Sequence, residues 1–238
     1  MCTSIDMGIQ GMGGNLITHT VLHPQKWSGN KEENMNNKKF NTMQLATLGL
    51  MTAVLIIMAC TPLGYLNIGP LAISFNVIPV AICAIVLGPT GGAIAGLIFG
   101  LTSFGQCIGI GGVSVMGAML FSINPVLAFI QRVIPRLLDG LCIGFIYKAM
   151  RKRTNAYVSC AVTGFFSAFL NTLFFMAFLV ILFGNTEYVQ GLMNGRNVII
   201  GCAMMVGVNA ISEMVASTII TGAVGAALSK ARLLPSEK

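Results

Sequence analysis

The chain has 238 residues, of which 55% are hydrophobic and only 9% are charged. A soluble domain carries about 25% charged residues, so the composition excludes a soluble fold. The net charge of +7 does not indicate nucleic-acid binding, because the basic residues lie at the ends of apolar runs, as topology signals do. No Asp, Glu, Lys or Arg occurs from Phe40 to Gln131. Such a stretch has room for several membrane spans of about 20 residues, and we expect an all-α integral protein of the lipid bilayer.

The N-terminal segment differs from the rest of the chain. Residues 1–34 are polar, rich in Gly and Asn and without helical periodicity, and they lack the apolar core of a signal peptide. We expect a disordered tail over residues 1–34, with Met35 as an alternative native start. A six-helix membrane domain then covers residues 35–238.

Six apolar runs predict six transmembrane helices. The motif GPTGG at 88–92 indicates a tight turn between the second and third, and Asn124 and Pro125 are typical of an N-cap and a first helical residue for the fourth. Residues 108–124 are apolar but broken by glycines, which favours a re-entrant or buried loop. The predicted spans cover about 43–63, 71–87, 91–107, 125 to the basic cluster at 148–153, 156–183 and 199–228.

Basic residues predict how these helices are oriented in the bilayer. They lie at 38–39 before the first helix, at 151–153 after the fourth, and at 230 and 232 after the sixth. Cytoplasmic loops are enriched in Lys and Arg, and these three positions fall on one side of a six-span bundle. Both termini are therefore predicted to be cytoplasmic.

Small residues recur at helical spacing in two places. Gly88, Gly92, Gly96 and Gly100 follow one another every four residues, a pattern that lets a second helix approach closely. A phosphate-binding loop is not indicated, because GxxxxGK[ST] is absent. The first helix has a shorter version, formed by Ala46, Gly49 and Ala53. That face either packs within the protein or docks a partner helix.

The fourth predicted helix carries charges that a lipid-facing span would not tolerate. Arg132, Arg136 and Asp139 follow the i, i+4, i+7 spacing of one helical face, and Pro135 interrupts the run. A charge at mid-bilayer costs about 2.5–3.5 kcal/mol, so these side chains require pairing, a water-filled cavity or a ligand. Asp139 either neutralises Arg136 or has a role that the sequence leaves open.

Polar side chains also lie within three other predicted helices. Asn76 is early in the second, Asn171 is half-way along the fifth, and Asn209 and Glu213 share a face of the sixth. Buried amides can hold helices together by hydrogen bonds. Four helices that each offer a polar group also favour a binding site for a small polar molecule.

Catalytic and metal-binding patterns are missing from the sequence. The seven cysteines are scattered without a CxxC pair, and both histidines lie in the N-terminal tail. We therefore predict neither an enzyme nor a metal site, and no cofactor in this chain.

Four segments resemble the substrate-binding (S) components of energy-coupling factor (ECF) vitamin transporters, in the family's order from Phe40 to Leu228. The similarity is greatest to the pantothenate-type branch. The segments begin at 63, 123, 170 and 209. They read LGYLNIGPLAISFNVIPVAICAIVLGPTGGAIAGLIFGLTSF, INPVLAF followed by VIPRLLDGLCIGFIYKAM, LNTLFF and NAISE.

The resemblance implies a six-helix bundle that encloses a vitamin with high affinity in the bacterial plasma membrane. It implies three further subunits, a coupling transmembrane protein and two cytoplasmic ATPases that use ATP. Pantothenate is the preferred ligand. Folate or riboflavin is the first alternative, and a stand-alone secondary carrier of a small anion is the second.

Position by position, the resemblance assigns roles to residues of this chain. It implies that the vitamin is bound by Arg136, Asn171, Asn209 and Glu213, and that the coupling protein contacts Gly49 and Ala53. The pattern of polar and small residues adds Asn76 and Arg132 to the predicted binding site and Ala46 to the predicted docking face. The GxxxA of the first helix departs from the AxxxA that is usual in the family. Asp139 stands where relatives have a small or apolar residue.

Overall fold

The computed structural model describes residues 42–61, 65–68, 71–193 and 198–231. The tail predicted over residues 1–34 lies outside the described residues. The described elements are α1 (Thr42–Cys60), β1 (Tyr65–Ile68), β2 (Leu71–Ser74), α2 (Val77–Gly105), α3 (Val115–Ile123), α4 (Pro125–Arg151), α5 (Ala156–Phe183), α6 (Glu187–Met193) and α7 (Val198–Lys230).

A short β-hairpin precedes α2 and corrects the predicted second span. β1 and β2 pair antiparallel, with Tyr65 opposite Ser74, whereas the sequence predicted a helix from Leu71. Proline is best accommodated in the first turn of a helix, where its missing N–H leaves no hydrogen bond unmade, and this favours a start at Val77. Pro79 satisfies this condition in a helix that starts at Val77, but it would lie in the interior of one that starts at Leu71.

Helix α2 is broken at Gly88, where φ is 75° and ψ is −166°. Before the break, Ile85 packs with Tyr147 of α4 and Cys160 of α5. After it, α2 runs along α4 in the opposite direction, so that Gly92 lies against Gly140 and later residues lie against earlier ones. A Cβ added at Gly92 would also lie 2.9 Å from the Cβ of Ala84, although eight residues of a straight helix span about 12 Å. The chain therefore reverses at Gly88, within the predicted turn at 88–92, and only glycine adopts this φ without strain.

The segment at 108–124, predicted as a re-entrant or buried loop, is largely exposed, and about half of it is helical. Its first part consists of turns with exposed apolar side chains, among them Ile110 and Val113. The rest forms α3, which is capped by Ser114, whose Oγ accepts from the amide of Gly117 at 3.2 Å. A serine N-cap followed by nine apolar or small residues is a helix start signal that the glycine-rich flank obscured.

The fourth and fifth helices begin where they were predicted to begin. Asn124 caps α4, and its Oδ1 accepts from the amides of Val126 and Leu127 at 3.0 and 3.1 Å. Pro125 occupies the first turn, where its missing N–H costs nothing. α5 covers the predicted 156–183, and α7 extends the predicted 199–228 by a few residues.

Lipid-facing surfaces are visible on several helices. Within the described residues, three helical segments are long and apolar enough to cross a membrane, namely Val77–Gly105, Ala156–Phe183 and Asn209–Lys230. α4 is not among them. Large apolar side chains such as Ile57, Phe145, Ile181 and Ile219 are more than half exposed, which is expected when the surrounding medium is lipid and not water.

Candidate functional site

The polar face of α4 is turned into the protein. Arg132 is 6% exposed, Arg136 4% and Asp139 1%. Gln131, next to them, is fully buried, and neither atom of its amide has a hydrogen-bond partner among the residues that the structure describes. The charged residues that looked out of place in a membrane span therefore surround an interior site and do not face lipid.

Arg136 is held by its own helix and by two aromatic rings. Its Nη1 donates to the backbone carbonyl of Arg132 at 2.9 Å. Its guanidinium carbon lies 4.6 Å from the ring centroid of Phe99 on α2 and 5.3 Å from that of Phe175 on α5. Cation–π contacts of this kind are worth most where water is excluded, so Arg136 is fixed between three helices.

Arg132 lies one turn closer to the start of α4. Its Nη1 donates to Ser103 Oγ at 3.4 Å and its Nη2 to Ser114 Oγ at 3.3 Å. Its guanidinium carbon is also 5.3 Å from the Phe175 ring. The two guanidinium groups therefore share one aromatic ring, and Arg132 also connects α4 to α2 and to the N-cap of α3.

Two carboxyl groups accompany Arg136. Asp139 lies close enough to Arg136 and Glu213 to interact electrostatically with both. Glu213 also interacts electrostatically with Arg136. Glu213 Oε1 also accepts a hydrogen bond from the backbone amide of Ser74. The glutamate thus attaches the β-hairpin to α7, while the Arg136–Asp139–Glu213 cluster joins α4 to α7.

We expect a Glu213→Ala substitution to loosen the hairpin, because the buried amide of Ser74 loses its acceptor. An unsatisfied buried group costs about 1–3 kcal/mol, which thermal unfolding in detergent would measure. Faster amide hydrogen exchange over residues 71–76 should accompany the loss. Glu213→Gln keeps an oxygen acceptor and serves as the control. Equal exchange rates in the two variants would contradict this role.

The predicted amide residues are all buried. Asn76 is fully buried, Asn171 is 6% exposed and Asn209 9%. Within the described residues, both side-chain atoms of Asn76 and the Oδ1 of Asn171 lack a hydrogen-bond partner. Ser167, one turn before Asn171, donates to the carbonyl of Val77 at 3.3 Å, which brings the start of α2 against α5. Unsatisfied buried amides leave hydrogen bonds available to a ligand.

Sequence reasoning missed several residues of this site. Phe175 lies four residues after Asn171, on the same face of α5, and this spacing was the signal that could have identified it. Ser103 and Phe99 share a face of α2 in the same way. The missed residues are Ser74, Phe99, Ser103, Ser114, Gln131 and Phe175.

Glycines of α2 determine how closely α4 approaches the site. A Cβ added at Gly92 would lie 2.2 Å from the Gly140 carbonyl, and one added at Gly96 would lie 2.2 Å from the Arg136 carbonyl. A Cβ at Gly100 would lie 2.8 Å from Val133 Cα. Gly88, the first of the predicted row, is the point of reversal instead of a helical position. The other three glycines bring the two backbones into direct contact beside Arg136.

One helix, α6, approaches the site from the loop before α7. Burial raises the pKa of the Tyr188 phenol, and the nearby charge of Arg132 opposes part of this increase. Because Tyr188 is close enough to interact with Arg132, α6 lies on the Arg132 side of the site. A cleft of about 380 Å³ separates α6 from α3 and is lined by Met119, Ser122, Ile123, Thr186, Glu187 and Tyr188.

The small residues of α1 are on its outward side. Ala46, Gly49 and Ala53 are all exposed, and nothing lies within 4 Å of a Cβ added at Gly49. Leu55 and Ala59 are buried on the other side. The packing of the described bundle therefore leaves the small-residue face of α1 uncovered.

Metal chemistry finds no support among the residues that the structure describes, since they include no group of three His, Cys, Asp or Glu side chains arranged to hold an ion.

Comparison with known proteins identifies relatives over the whole of this region. A family model described as "ECF transporter, substrate-specific component" matches residues 43–225. The chain is 28% identical over 207 residues to the pantothenic acid transporter PanT of Lactococcus lactis subsp. cremoris (strain MG1363). That alignment covers 82% of this chain and 98% of PanT. The family match includes every site residue from Ala46 to Glu213.

Proposed function

Because this chain belongs to the family of ECF transporter substrate-specific components, we propose that it is the high-affinity binding subunit of an importer for pantothenate. Membership in the family makes the protein a transporter component and not an enzyme. The choice of vitamin is supported by the similarity to PanT and by the chemistry of the buried site.

The observation that carries the proposal is the pair of buried arginines that share the Phe175 ring. Pantothenate has a carboxylate at one end, an amide in the middle and two hydroxyl groups at the other end. Arginine recognises carboxylates with charge-assisted hydrogen bonds. The amides of Asn76, Asn171 and Asn209 and the carboxylates of Asp139 and Glu213 are suited to the amide and the hydroxyl groups.

The transport complex is part of the same proposal. The chain crosses the bacterial plasma membrane six times with both termini in the cytoplasm, as the basic residues at 38–39, 151–153 and 230 favour. It works with a coupling transmembrane protein and two cytoplasmic ATPases that hydrolyse ATP. The uncovered small-residue face of α1 is the contact for the coupling protein, because small residues let helices approach closely in lipid.

A panel of vitamins tests the ligand. We expect pantothenate to bind the detergent-purified protein with a Kd of about 1 μM or below. At a concentration about 100 times the Kd it should stabilise the fold by about 2.7 kcal/mol, visible as a rise in Tm. Folate and riboflavin should give no shift. A shift with either of them and none with pantothenate would replace the assigned vitamin, and no shift with any vitamin would overturn the proposal.

An Ala53→Trp substitution tests the partner contact. The bulky ring on the exposed face of α1 should prevent the coupling protein from co-purifying and reduce ATP-dependent uptake to background, while vitamin affinity stays within about twofold because the site is remote. Ala177→Trp, on an exposed face of α5, is the matched control and should retain both. Uptake that persists without any ATPase would instead favour an autonomous carrier.

A further inference from the structure

The two arginines of the site have unequal electrostatic surroundings. Arg136 has two carboxyl groups within electrostatic reach, Asp139 on its own helix and Glu213 on α7. The hydrogen-bond partners that the described part of the chain provides for the Arg132 side chain are the neutral hydroxyls of Ser103 and Ser114, both at long distance. Arg136 therefore has acidic side chains beside it, whereas the described residues offer the Arg132 side chain only neutral hydroxyl partners.

This difference decides where a ligand anion is stable. Arg136 already donates to the Arg132 carbonyl at 2.9 Å and lies between the rings of Phe99 and Phe175. A carboxylate placed there would also lie beside the carboxyl groups of Asp139 and Glu213, and carboxyl groups that share a buried site disfavour a further negative charge. At Arg132 the same carboxylate would meet a buried guanidinium whose hydroxyl partners lie at 3.3 and 3.4 Å. It would also replace two weak hydroxyl contacts with charge-assisted hydrogen bonds.

Asp139 offers the opposite chemistry. Its side chain is 1% exposed, and its Oδ1 has no hydrogen-bond donor in the described residues. A buried carboxylate oxygen without a donor is costly. The ligand groups that relieve this cost are hydroxyls and N–H groups, and a second anion would add to it.

We propose that Arg132, and not Arg136, anchors the ligand carboxylate, and that the ligand lies along α4 with its hydroxyl end at Asp139. This inference rests on the proposed function, since it concerns how pantothenate is oriented in the same site. Arg136 then acts as a positioning residue that holds Phe175 and the two carboxyl groups.

Dimensions of the site and the ligand agree with this orientation. Asp139 follows Arg132 by seven residues, which corresponds to about 10 Å along a helix. An extended pantothenate has about eight bonds between its carboxylate carbon and its terminal hydroxyl oxygen, and this distance is roughly 9 Å when scaled from an extended peptide chain. One ligand molecule can therefore reach both side chains.

The test compares ligand analogues against single variants. The probes are pantothenate, pantothenol, in which an alcohol replaces the carboxylate, and pantothenate lacking its terminal hydroxyl group. Their Kd values are measured by calorimetry on wild-type protein and on Arg132→Gln, Arg136→Gln and Asp139→Asn. Arg153→Gln, at an exposed position of the loop after α4, is the matched control for loss of a positive charge. Arg132→Lys keeps the charge, and it covers the case in which Arg132→Gln does not fold.

We expect wild-type protein to prefer pantothenate over pantothenol by at least about tenfold. Arg132→Gln should abolish this preference, and Arg132→Lys should retain part of it. Arg136→Gln should weaken both compounds by a similar factor and leave the ratio in place. Asp139→Asn should reduce the preference for pantothenate over its deoxy analogue. Arg153→Gln should alter neither ratio.

Loss of the acid-over-alcohol preference in Arg136→Gln but not in Arg132→Gln would overturn the proposed orientation and leave the proposed function intact. The proposed orientation would also be overturned if Asp139→Asn changes the preference for pantothenate over pantothenol but not the preference for pantothenate over its deoxy analogue. Wild-type protein that binds none of the three compounds would overturn the proposed function and, with it, this inference.

Discussion

A Gly96→Ala substitution is expected to destabilise the protein and to weaken vitamin binding. The added methyl group would lie 2.2 Å from the carbonyl oxygen of Arg136, closer than any two such atoms can approach. The contact is backbone against backbone, so no side-chain rotation relieves it, and α2 and α4 must separate. Overpacking costs about 1–3 kcal/mol, and the separation also displaces the guanidinium of Arg136 from the Phe99 ring.

Gly49→Ala is the matched control for this prediction. It makes the same chemical change on α1, where nothing lies within 4 Å of the new methyl group. Alanine is a better helix former than glycine by about 1 kcal/mol, so only the contact with α4 can explain a loss at Gly96. Thermal unfolding and pantothenate titration of both variants give the comparison. A Tm for Gly96→Ala equal to or above that of Gly49→Ala would contradict the close approach of the two helices.

The second large effect is expected from Arg136→Gln. The substitution removes the Arg136 guanidinium, so the buried carboxyl groups of Asp139 and Glu213 lose the cation that lies near them. Breaking a buried charge cluster by removing one partner costs about 3–5 kcal/mol. The variant should therefore have a lower Tm even in the absence of vitamin, which distinguishes a structural counter-ion from a residue that acts on the ligand alone.

A double substitution separates the charge effect from the loss of packing. Asp139→Asn in the Arg136→Gln background removes one of the unbalanced carboxyl groups, so the double variant should be more stable than Arg136→Gln alone. The coupling energy from this cycle should be about 0.5–3 kcal/mol. Strictly additive losses of stability would indicate that Arg136 is retained for its contacts with Phe99 and Phe175 and not for its charge.

The long helices α4 and α5 could be predicted because their signals are local. Asn124 and Pro125 mark the start of α4 by capping chemistry, and a long, largely apolar run defines α5. The β-hairpin could not be predicted in this way. Its strands are four residues each, and β2 depends on Glu213, more than a hundred residues later, which accepts from Ser74.

The candidate site was predictable in its polar residues and not in its geometry. Polar side chains within apolar runs stand out, so Arg132, Arg136 and Asn171 were readily identified. Phe175 did not stand out among its many apolar neighbours, because its spacing from Asn171 is a weak signal and its contacts with two guanidinium groups become visible only in the structure. The unequal surroundings of the two arginines likewise depend on Glu213, which approaches from another helix.

α4 is not among the described helices that are apolar enough to cross a membrane, so its charged face requires a polar environment within the protein. Lipid hydrocarbon surrounds part of α5 and α7, and their exposed Ile181 and Ile219 side chains contact it. Around the charged face of α4, serine hydroxyls, aromatic rings and carboxyl groups take the place of the water molecules that would hydrate its arginines. The glycines of α2 allow its backbone to contact α4, which brings these groups close to the arginines.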